Sequence, residues 1–375
     1  MSLSDWRAIA ATLLASPRAR LLTRIAITLA GMISGAVVAI NHHTAADFDV
    51  FWTAASHWQT PYDHAIIEVI KKKMHITGYW PYAYPPTFML FLWPFGQLPM
   101  ETAYAIWTSL SLGLFALTCT FVMRPMLAAL LVVWTPAASF AIVSGQSTLL
   151  MGSLILSGFS FLEKRPLLAG VLLGTAACIK PQFMVMAPIV LWGHWRTVGA
   201  AIATGVVLIA ASMVFGPEHW LQWPKEVMFF NKIMVTTHRV NPSAAFNALW
   251  WSIPIALFGI YFAWANRDVV GLICGMLCIT PYAHDYDLVA LAPIMLTWMF
   301  NRDKVGWDHA ILGAVFMSGV LSKPLYMLGF LVALALVRSP IWKLKGFGTN
   351  DGPPKEKRVL IPQHPLIRYV IVPGA

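Results

Sequence analysis

Residues 21–40 read LLTRIAITLAGMISGAVVAI, an apolar run with a single charged side chain, Arg24. About 20 apolar residues in a row are what an α-helix needs to cross the hydrocarbon core of a bilayer. The run is too long for the core of a cleaved signal peptide, so it predicts an uncleaved first transmembrane helix. Arg7, Arg18 and Arg20 precede it. We therefore expect residues 1–20 to be a cytoplasmic segment that lies along the membrane interface.

The rest of the chain has the same character. Hydrophobic residues make up 58% of the 375 residues and charged ones only 11%, with a mean hydropathy of +0.67. These values exclude a large soluble catalytic domain and intrinsic disorder, and they predict an all-α integral membrane protein with about 12 transmembrane helices in residues 21–340. The predicted spans lie near 21–40, 103–122, 126–143, 147–162, 166–179, 181–193, 197–215, 246–264, 268–281, 286–300, 308–321 and 324–337.

The charges orient these helices. The chain has 26 Lys and Arg against 16 Asp and Glu, a net charge of +10. In a membrane protein such an excess usually orients the helices and contacts anionic lipid, and nothing in the sequence indicates a nucleic-acid site. The positive-inside rule is satisfied if both termini, including the tail 341–375, are cytoplasmic in a bacterial inner (plasma) membrane. This requires residues 84–99, with four prolines, not to cross the membrane. The extracytoplasmic side then holds a first loop, 41–102, with interfacial helices, and a second, 216–245.

Two carboxylates stand among aromatic residues at the start of the first loop. Asp47 and Asp49 precede Phe51 and Trp52 directly after the first helix. One interpretation is an aromatic interfacial belt with solvated aspartates. The other is a general base, because a carboxylate among rings at the membrane boundary is poorly solvated and has a raised pKa.

A second group of polar residues interrupts apolar helices on the same predicted face. Lys180 is followed by Pro181 at the end of an apolar run, where an ionisable group is costly. It could contact the phosphate of a lipid carrier, or it could simply extend to the lipid headgroups. Gln146, next to Gly145, belongs either to a binding site or to a tight turn between helices.

The third polar cluster is His284, Asp285 and Asp287, at a later helix junction. These side chains invite a divalent-metal hypothesis, but they are crowded together and other ligands would have to come from elsewhere. Hydrogen bonds to sugar hydroxyls suit them equally well. In the second loop, Arg239 offers a bidentate partner for a phosphate, unless that loop is an ordinary connector.

The motifs GxxxxGK[ST], GxGxxG, GxSxG and HExxH do not occur in the sequence. ATP-driven transport, dinucleotide chemistry, esterase chemistry and zincin proteolysis therefore have no motif support. The chemistry that remains is one performed at the outer face on an activated substrate that already resides in the membrane.

Several short motifs, in order along residues 45–290, resemble a known family. They are Asp47-Phe48-x-x-Phe51-Trp52-x-Ala54-Ala55, Pro61-Tyr62-Asp63, Tyr84-Pro85-Pro86, Gly145-Gln146, Lys180-Pro181 and Pro281-Tyr282-x-x-Asp285-Tyr286-Asp287. In this combination the sequence resembles the bacterial integral-membrane glycosyltransferases of family 87, of the GT-C class, which are similar to polyprenyl-phosphate-mannose-dependent mannosyltransferases.

The resemblance implies a GT-C-like helical bundle that transfers a hexose, with inversion, from a polyprenyl-phosphate donor to a glycan or lipid acceptor. It implies Asp47 as general base, with Asp49 as the alternative. We expect no resident cofactor or metal ion. Donor phosphate is assigned to Lys180 and Arg239, and sugar or acceptor to Gln146, His284, Asp285, Asp287 and Tyr84.

Two other classes of protein share parts of this pattern. A polytopic transporter or lipid-linked sugar flippase also has many helices with scattered polar residues, although transporters tend to place ionisable groups near the bilayer midplane in repeated halves. Here the polar groups gather at one surface and no repeat is evident. A non-catalytic scaffold for envelope polysaccharide assembly would tolerate replacement of Asp47.

Overall fold

The protein is represented by a computed structural model that describes residues 16–42, 46–73, 81–123, 126–236, 252–280 and 285–300. Every regular element within these ranges is helical. The α-helices are α1 Pro17–Asn41, α2 Ala46–Ser56, α3 His64–Lys73, α4 Pro86–Gly96, α5 Met100–Val122, α6 Ala129–Val132, α7 Pro136–Ser144, α8 Thr148–Phe161, α9 Pro166–Ile179, α10 Ala187–Val190, α11 Trp195–Ser212, α12 His219–Thr236, α13 Ser252–Ala265, α14 Val269–Ile279 and α15 Ala292–Phe300. Short 3-10 helices cover Met126–Ala128, Pro181–Met184, Met213–Phe215 and Asp285–Leu291.

Three helical segments of the described chain are long and apolar enough to cross a membrane: Pro17–Asn41, Met100–Val122 and Trp195–Phe215. Shorter apolar helices accompany them, including α8, α9 and α14. The described part of the protein is therefore all-helical, and its long apolar helices are those of a membrane protein. The predicted spans 308–321 and 324–337 lie outside the described residues, as do residues 1–15 and the tail, so the count of about 12 and the domain limits stay predictions.

Two predicted spans are wrong as continuous helices. Residues 126–143 form a 3-10 turn, the single turn α6 and the separate helix α7, because Thr135 caps α7 by accepting the Ala138 N–H and Pro136 occupies its first position. Residues 181–193 form a 3-10 turn and the single turn α10. Pro181 and Pro188 each lack the N–H that a continuous helix would use.

The first loop contains helices, as expected. The stretch predicted not to cross, 84–99, contains α4, whose 11 residues span about 16 Å, too short for a hydrocarbon core of about 30 Å. The Trp52 indole of α2 donates to the Leu98 carbonyl just beyond α4 at 2.9 Å. This bond and the packing of α2 against α4 hold the loop helices on the bundle.

The aromatic residues of the first loop form core and not a surface belt. Phe48, Phe51 and Phe88 are each at most 1% exposed. Phe51 meets the rings of Tyr84 and Phe88 edge-on, at centroid distances of 4.9 and 5.3 Å. Trp107 of α5 extends the cluster. The belt interpretation is therefore wrong for these rings, and α2 is anchored by them.

Glycines allow the longer helices to approach closely. A Cβ on Gly35 of α1 would lie 2.7 Å from the Thr108 carbonyl oxygen of α5, and one on Gly174 of α9 would lie 2.6 Å from the Ala201 carbonyl oxygen of α11. Small residues at such contacts are the usual means by which membrane helices pack backbone to backbone. The α1–α5 and α9–α11 pairs are therefore close helix contacts, and Lys180 follows directly after α9.

Candidate active site

Gln146 connects the parts of the site. Helix α7 ends at Gly145, whose φ of 68° is the left-handed conformation that glycine adopts readily. The next side chain, Gln146, is 4% exposed. Its Oε1 accepts from the Tyr84 hydroxyl at 3.0 Å and from the Ser147 N–H at 3.1 Å, and its Nε2 donates to the Tyr286 hydroxyl at 3.2 Å. The tight turn expected here therefore also supplies a buried amide.

Asp47 lies beside this amide. The polar side chains of Gln146 and Ser144, and the charges of Lys180 and Asp287, are close enough to act on its carboxylate. Burial raises the pKa of Asp47 to about 6, against the lowering effects of Gln146, Lys180 and Ser144. The direction agrees with the expectation from sequence for a poorly solvated carboxylate on this helix.

Asp49 points away from this group. Its side chain is 1% exposed, and its charge acts on the phenol of Tyr104 on α5. Residues two apart on a helix are rotated by about 200° around its axis, so α2 turns the two aspartates to opposite sides. Only Asp47 is brought together with Gln146 and Lys180.

Lys180 is buried and ion-paired. Its Nζ lies 2.7 Å from Asp287 Oδ1, with side-chain exposures of 2% and 1%. The ammonium also lies 5.2 Å from the ring centroid of Phe183 and 5.4 Å from that of Tyr286. The alternative prediction, that Lys180 simply extends to the lipid headgroups, is therefore wrong. The pair joins the end of α9 to the 3-10 helix 285–291.

A cavity of about 190 Å³ opens beside Lys180. One wall comes from the Tyr84–Pro85 segment, and the other from Trp223, Val227 and Phe230 of α12. The Trp223 indole donates to the Ala83 carbonyl at 3.2 Å, which holds the two walls together. The cavity thus combines a cation with apolar surfaces.

Two predicted site residues, Arg239 and His284, lie outside the described residues. For Asp285 the structure describes the backbone, which begins the 3-10 helix 285–291. Tyr84 lines the cavity and hydrogen-bonds Gln146, as given above. Within the described ranges, no three His, Cys, Asp or Glu side chains stand close enough to hold a metal ion.

Sequence reasoning missed three contributors. Ser144 lies close enough to Asp47 to lower its pKa, and its only signal in the sequence is its place just before the Gly145-Gln146 turn. Tyr286 binds Gln146 and stands between the two aspartates that were singled out. The third contributor is α12, in a segment predicted to be a loop. Its inward-facing residues recur at helical spacing, which was the available signal: His219, Trp223, Glu226 and Phe230.

The arrangement has the parts that a transfer reaction needs. A carboxylate with a pKa near neutrality can take a proton, and a buried cation beside an apolar cavity can stabilise a departing anion. These groups come from the start of α2, the ends of α7 and α9, and the start of the 3-10 helix 285–291.

Comparison with known proteins agrees with this chemistry. No curated protein and no solved structure matches the chain significantly. The family model of glycosyltransferase family 87 matches residues 82–339, more than half of the chain. The matched region contains Gln146, Lys180 and Asp287 but not Asp47, so the case for Asp47 is geometric. Taken with the all-helical membrane fold, the match means that this chain belongs to glycosyltransferase family 87.

Proposed function

We propose that the protein transfers a hexose, mannose in the first instance, from a polyprenyl-phosphate donor to a hydroxyl group of a glycan or lipid acceptor. The reaction takes place at the extracytoplasmic face of the bacterial inner membrane, with both termini in the cytoplasm and with inversion at the anomeric carbon. The observation that carries the proposal is that Asp47 and Lys180, from distant parts of the chain, lie close enough to interact by charge, and that Lys180 lines a cavity.

In this mechanism Asp47 takes the proton of the acceptor hydroxyl. The acceptor oxygen forms a bond to the anomeric carbon, the bond from that carbon to the phosphate oxygen breaks, and the electron pair leaves with the polyprenyl phosphate. A positioned general base is worth about a hundred- to ten-thousand-fold in rate. The pKa of about 6 supports this role, because the group is ionised at neutral pH yet still basic enough to accept the proton.

Lys180 stabilises the leaving phosphate. Its Nζ lies 2.7 Å from Asp287 Oδ1, and the residue lines the cavity. Its charge acts strongly there because the side chain is buried away from solvent. Arg239 is proposed as a second phosphate ligand, and Asp285, Asp287, His284 and Tyr84 as groups that orient the sugar or acceptor.

A lipid-linked donor fits the location and the cavity. Nucleotide sugars are confined to the cytosol, so a transferase on the outer face needs a donor whose leaving group is in the bilayer. The apolar wall formed by Trp223, Val227 and Phe230 suits the prenyl chain next to its phosphate. No cofactor is required, since the donor is already activated.

The test compares the two aspartates. Membranes that contain wild type, Asp47→Asn or Asp49→Asn are assayed for sugar transfer from radiolabelled polyprenyl-phosphate mannose. We expect Asp47→Asn to lose activity by about a hundredfold or more and Asp49→Asn to keep most of it. Full activity in Asp47→Asn would remove the base assignment. Movement of labelled lipid across the membrane without sugar transfer would favour a flippase. Absence of both sugar transfer and lipid movement, whichever leaflet holds the donor, would favour a scaffold.

A further inference from the structure

Helix α12 supplies the apolar wall of the cavity through Trp223, Val227 and Phe230. Its opposite side exposes Leu221 and Met228, so the helix is held to the protein from its inward side. The contacts on that side therefore determine whether the wall is in place.

Three side chains on the inward side of α12 contact the first loop. The His219 Nε2 lies 3.2 Å from a backbone carbonyl oxygen of that loop, and the Trp223 indole donates to the Ala83 carbonyl at 3.2 Å. Glu226 contacts His64, whose Nε2 lies 2.8 Å from each carboxylate oxygen. Positions 219, 223 and 226 follow helical spacing, so the three contacts lie along the same face as the wall.

The His64–Glu226 contact is the one of the three that involves a carboxylate. Glu226 is 6% exposed, and a buried carboxylate is costly unless a donor compensates it. The His64 imidazole is that donor, and its ring centroid also lies 4.7 Å from that of Phe229. Neither His64 nor Glu226 is among the described residues that line the cavity. The pair can therefore act on the cavity only through α12.

We propose that His64 and Glu226 are positioning residues that hold α12 in place as the cavity wall and thereby set the affinity for the prenyl chain of the donor. The inference rests on the proposed function, in which this cavity binds the lipid-linked donor. Without His64, the Glu226 carboxylate would be buried and uncompensated, and α12 would shift to bring it to water. Because Glu226 precedes Val227 and lies about one helical turn from both Trp223 and Phe230, that shift would displace the wall.

The first variant is His64→Phe, which keeps an aromatic ring against Phe229 and removes the N–H that Glu226 accepts. We expect the KM for polyprenyl-phosphate mannose to rise about tenfold, because the wall is in place for a smaller fraction of the time. The kcat should change little, since the reacting groups lie on other elements. An unchanged KM in folded His64→Phe, or a fall in kcat at unchanged KM, would overturn the proposal.

The matched control is His57→Phe, the same chemical change at an exposed position of the same loop. The His57 imidazole contacts its own helix end, at Ser56 and at the Thr53 carbonyl oxygen. This variant should therefore keep the wild-type KM and kcat. An equal rise of the donor KM in His57→Phe and His64→Phe would show that the effect does not pass through α12, and it would contradict the proposal.

Hydrogen–deuterium exchange of the full chain in lipid nanodiscs measures the attachment of α12 without any donor. Backbone amides exchange when a helix opens locally, so a helix that loses a contact exchanges faster. Peptides from residues 219–236 should exchange about tenfold faster in His64→Phe than in wild type, and peptides from α5 should be unchanged. Unchanged exchange in 219–236, or an equal increase throughout the chain, would overturn the specific role in holding α12.

Two changes at Glu226 separate loss of the contact from exposure of a buried charge. Glu226→Gln keeps an oxygen that accepts the His64 N–H and should hold the donor KM within about twofold of wild type. Glu226→Met removes that oxygen and should raise the donor KM about fivefold. These variants decide the question if His64→Phe does not fold, because neither leaves a buried charge without a partner. Equal KM values in the two would contradict the proposal.

Failure of the proposed function would look different. Wild type would then transfer no sugar from the prenyl donor, or Asp47→Asn would keep transfer, while the exchange of α12 would still respond to His64→Phe. Failure of this inference alone leaves wild-type transfer and the loss in Asp47→Asn intact, with the donor KM and the exchange of α12 unmoved by His64→Phe.

Discussion

Asp47 and Asp49 lie two positions apart on α2, and the helix turns them to opposite sides. The carboxylate of Asp47 is under the electrostatic influence of Gln146 and Lys180, whereas the charge of Asp49 acts on Tyr104. Two chemically identical side chains thus have different surroundings, and their reactivity follows from those surroundings. A shift of α2 by one residue would exchange a site carboxylate for the Phe48 ring.

The pKa of Asp47 predicts the pH dependence of transfer. A general base works only when ionised, and burial places its pKa at about 6, so kcat/KM should fall about tenfold per pH unit below that value. The measurement is a pH profile of transfer at low donor concentration. An acid limb near 3.8, the ordinary value for an aspartate, would mean that Asp47 is solvated and not the base.

The Lys180–Asp287 pair permits a separation of structural and catalytic effects. Lys180→Met leaves a buried carboxylate without its cation, so it should lower the free energy of unfolding by about 3–5 kcal/mol. The double variant Lys180→Met/Asp287→Leu removes both charges and should recover most of that stability without recovering transfer. Thermal unfolding in detergent and the transfer assay measure the two effects. Wild-type transfer by the double variant would show that the pair is only structural.

At the scale of elements, side-chain contacts connect the helices of the two segments predicted as loops. Helix α3 is joined to α12 through His64, whose Nε2 lies 2.8 Å from both carboxylate oxygens of Glu226. Burial raises the pKa of Glu226, while the bond from His64 opposes that rise. The two segments predicted as loops therefore contact each other directly.

The α9–α11 contact predicts opposite effects for two glycine substitutions. A Cβ on Gly174 would meet the Ala201 backbone, so Gly174→Ala should destabilise the fold by about 1–3 kcal/mol in spite of alanine's better helix propensity. Gly199, on α11, has no atom within 4 Å of its Cβ position, and Gly199→Ala should be neutral or stabilising by up to about 1 kcal/mol. Thermal unfolding of both variants tests the contact. Equal effects would mean that the helices are not this close.

At the scale of the whole molecule, the polar groups gather at one end of the bundle. Lys180 ends α9, and Lys164 precedes the same helix, about 21 Å away along the helix axis. The first-loop residue Asp63 belongs to the Lys180 end, because its neighbour Tyr62 donates to the Tyr84 carbonyl at 2.8 Å. A single assignment of sidedness therefore applies to the entire site.

Cysteine labelling tests that assignment. The four native cysteines are buried and should not react with a membrane-impermeant maleimide. We expect Asp63→Cys to be labelled in intact spheroplasts, and Lys164→Cys only after permeabilisation, since both positions are exposed but lie at opposite ends. Labelling in the reverse order would place the site in the cytoplasm and contradict the use of an extracytoplasmic acceptor.

The amino-acid sequence by itself indicated that the chain folds in a lipid bilayer and that its fold is helical. Hydropathy identifies a membrane protein, and run length locates α1, α5 and α11, because lipid demands long apolar helices whatever their neighbours are. The polar breaks at Asp47, Gln146, Lys180 and Asp287 were recognisable for the same reason, since polar groups in apolar surroundings are costly.

Tertiary structure alone decided how these residues act together. Packing gave Asp47 and Asp49 different surroundings and paired Lys180 with Asp287 inside the protein. The two broken spans, in contrast, follow from prolines and a helix cap that are local in the sequence but that hydropathy does not register. Hydropathy could not indicate any of this, because it measures the transfer of one segment into lipid. The pairing of a buried cation, the orientation of an amide and the pKa of a carboxylate depend on atoms that distant segments bring within a few ångströms.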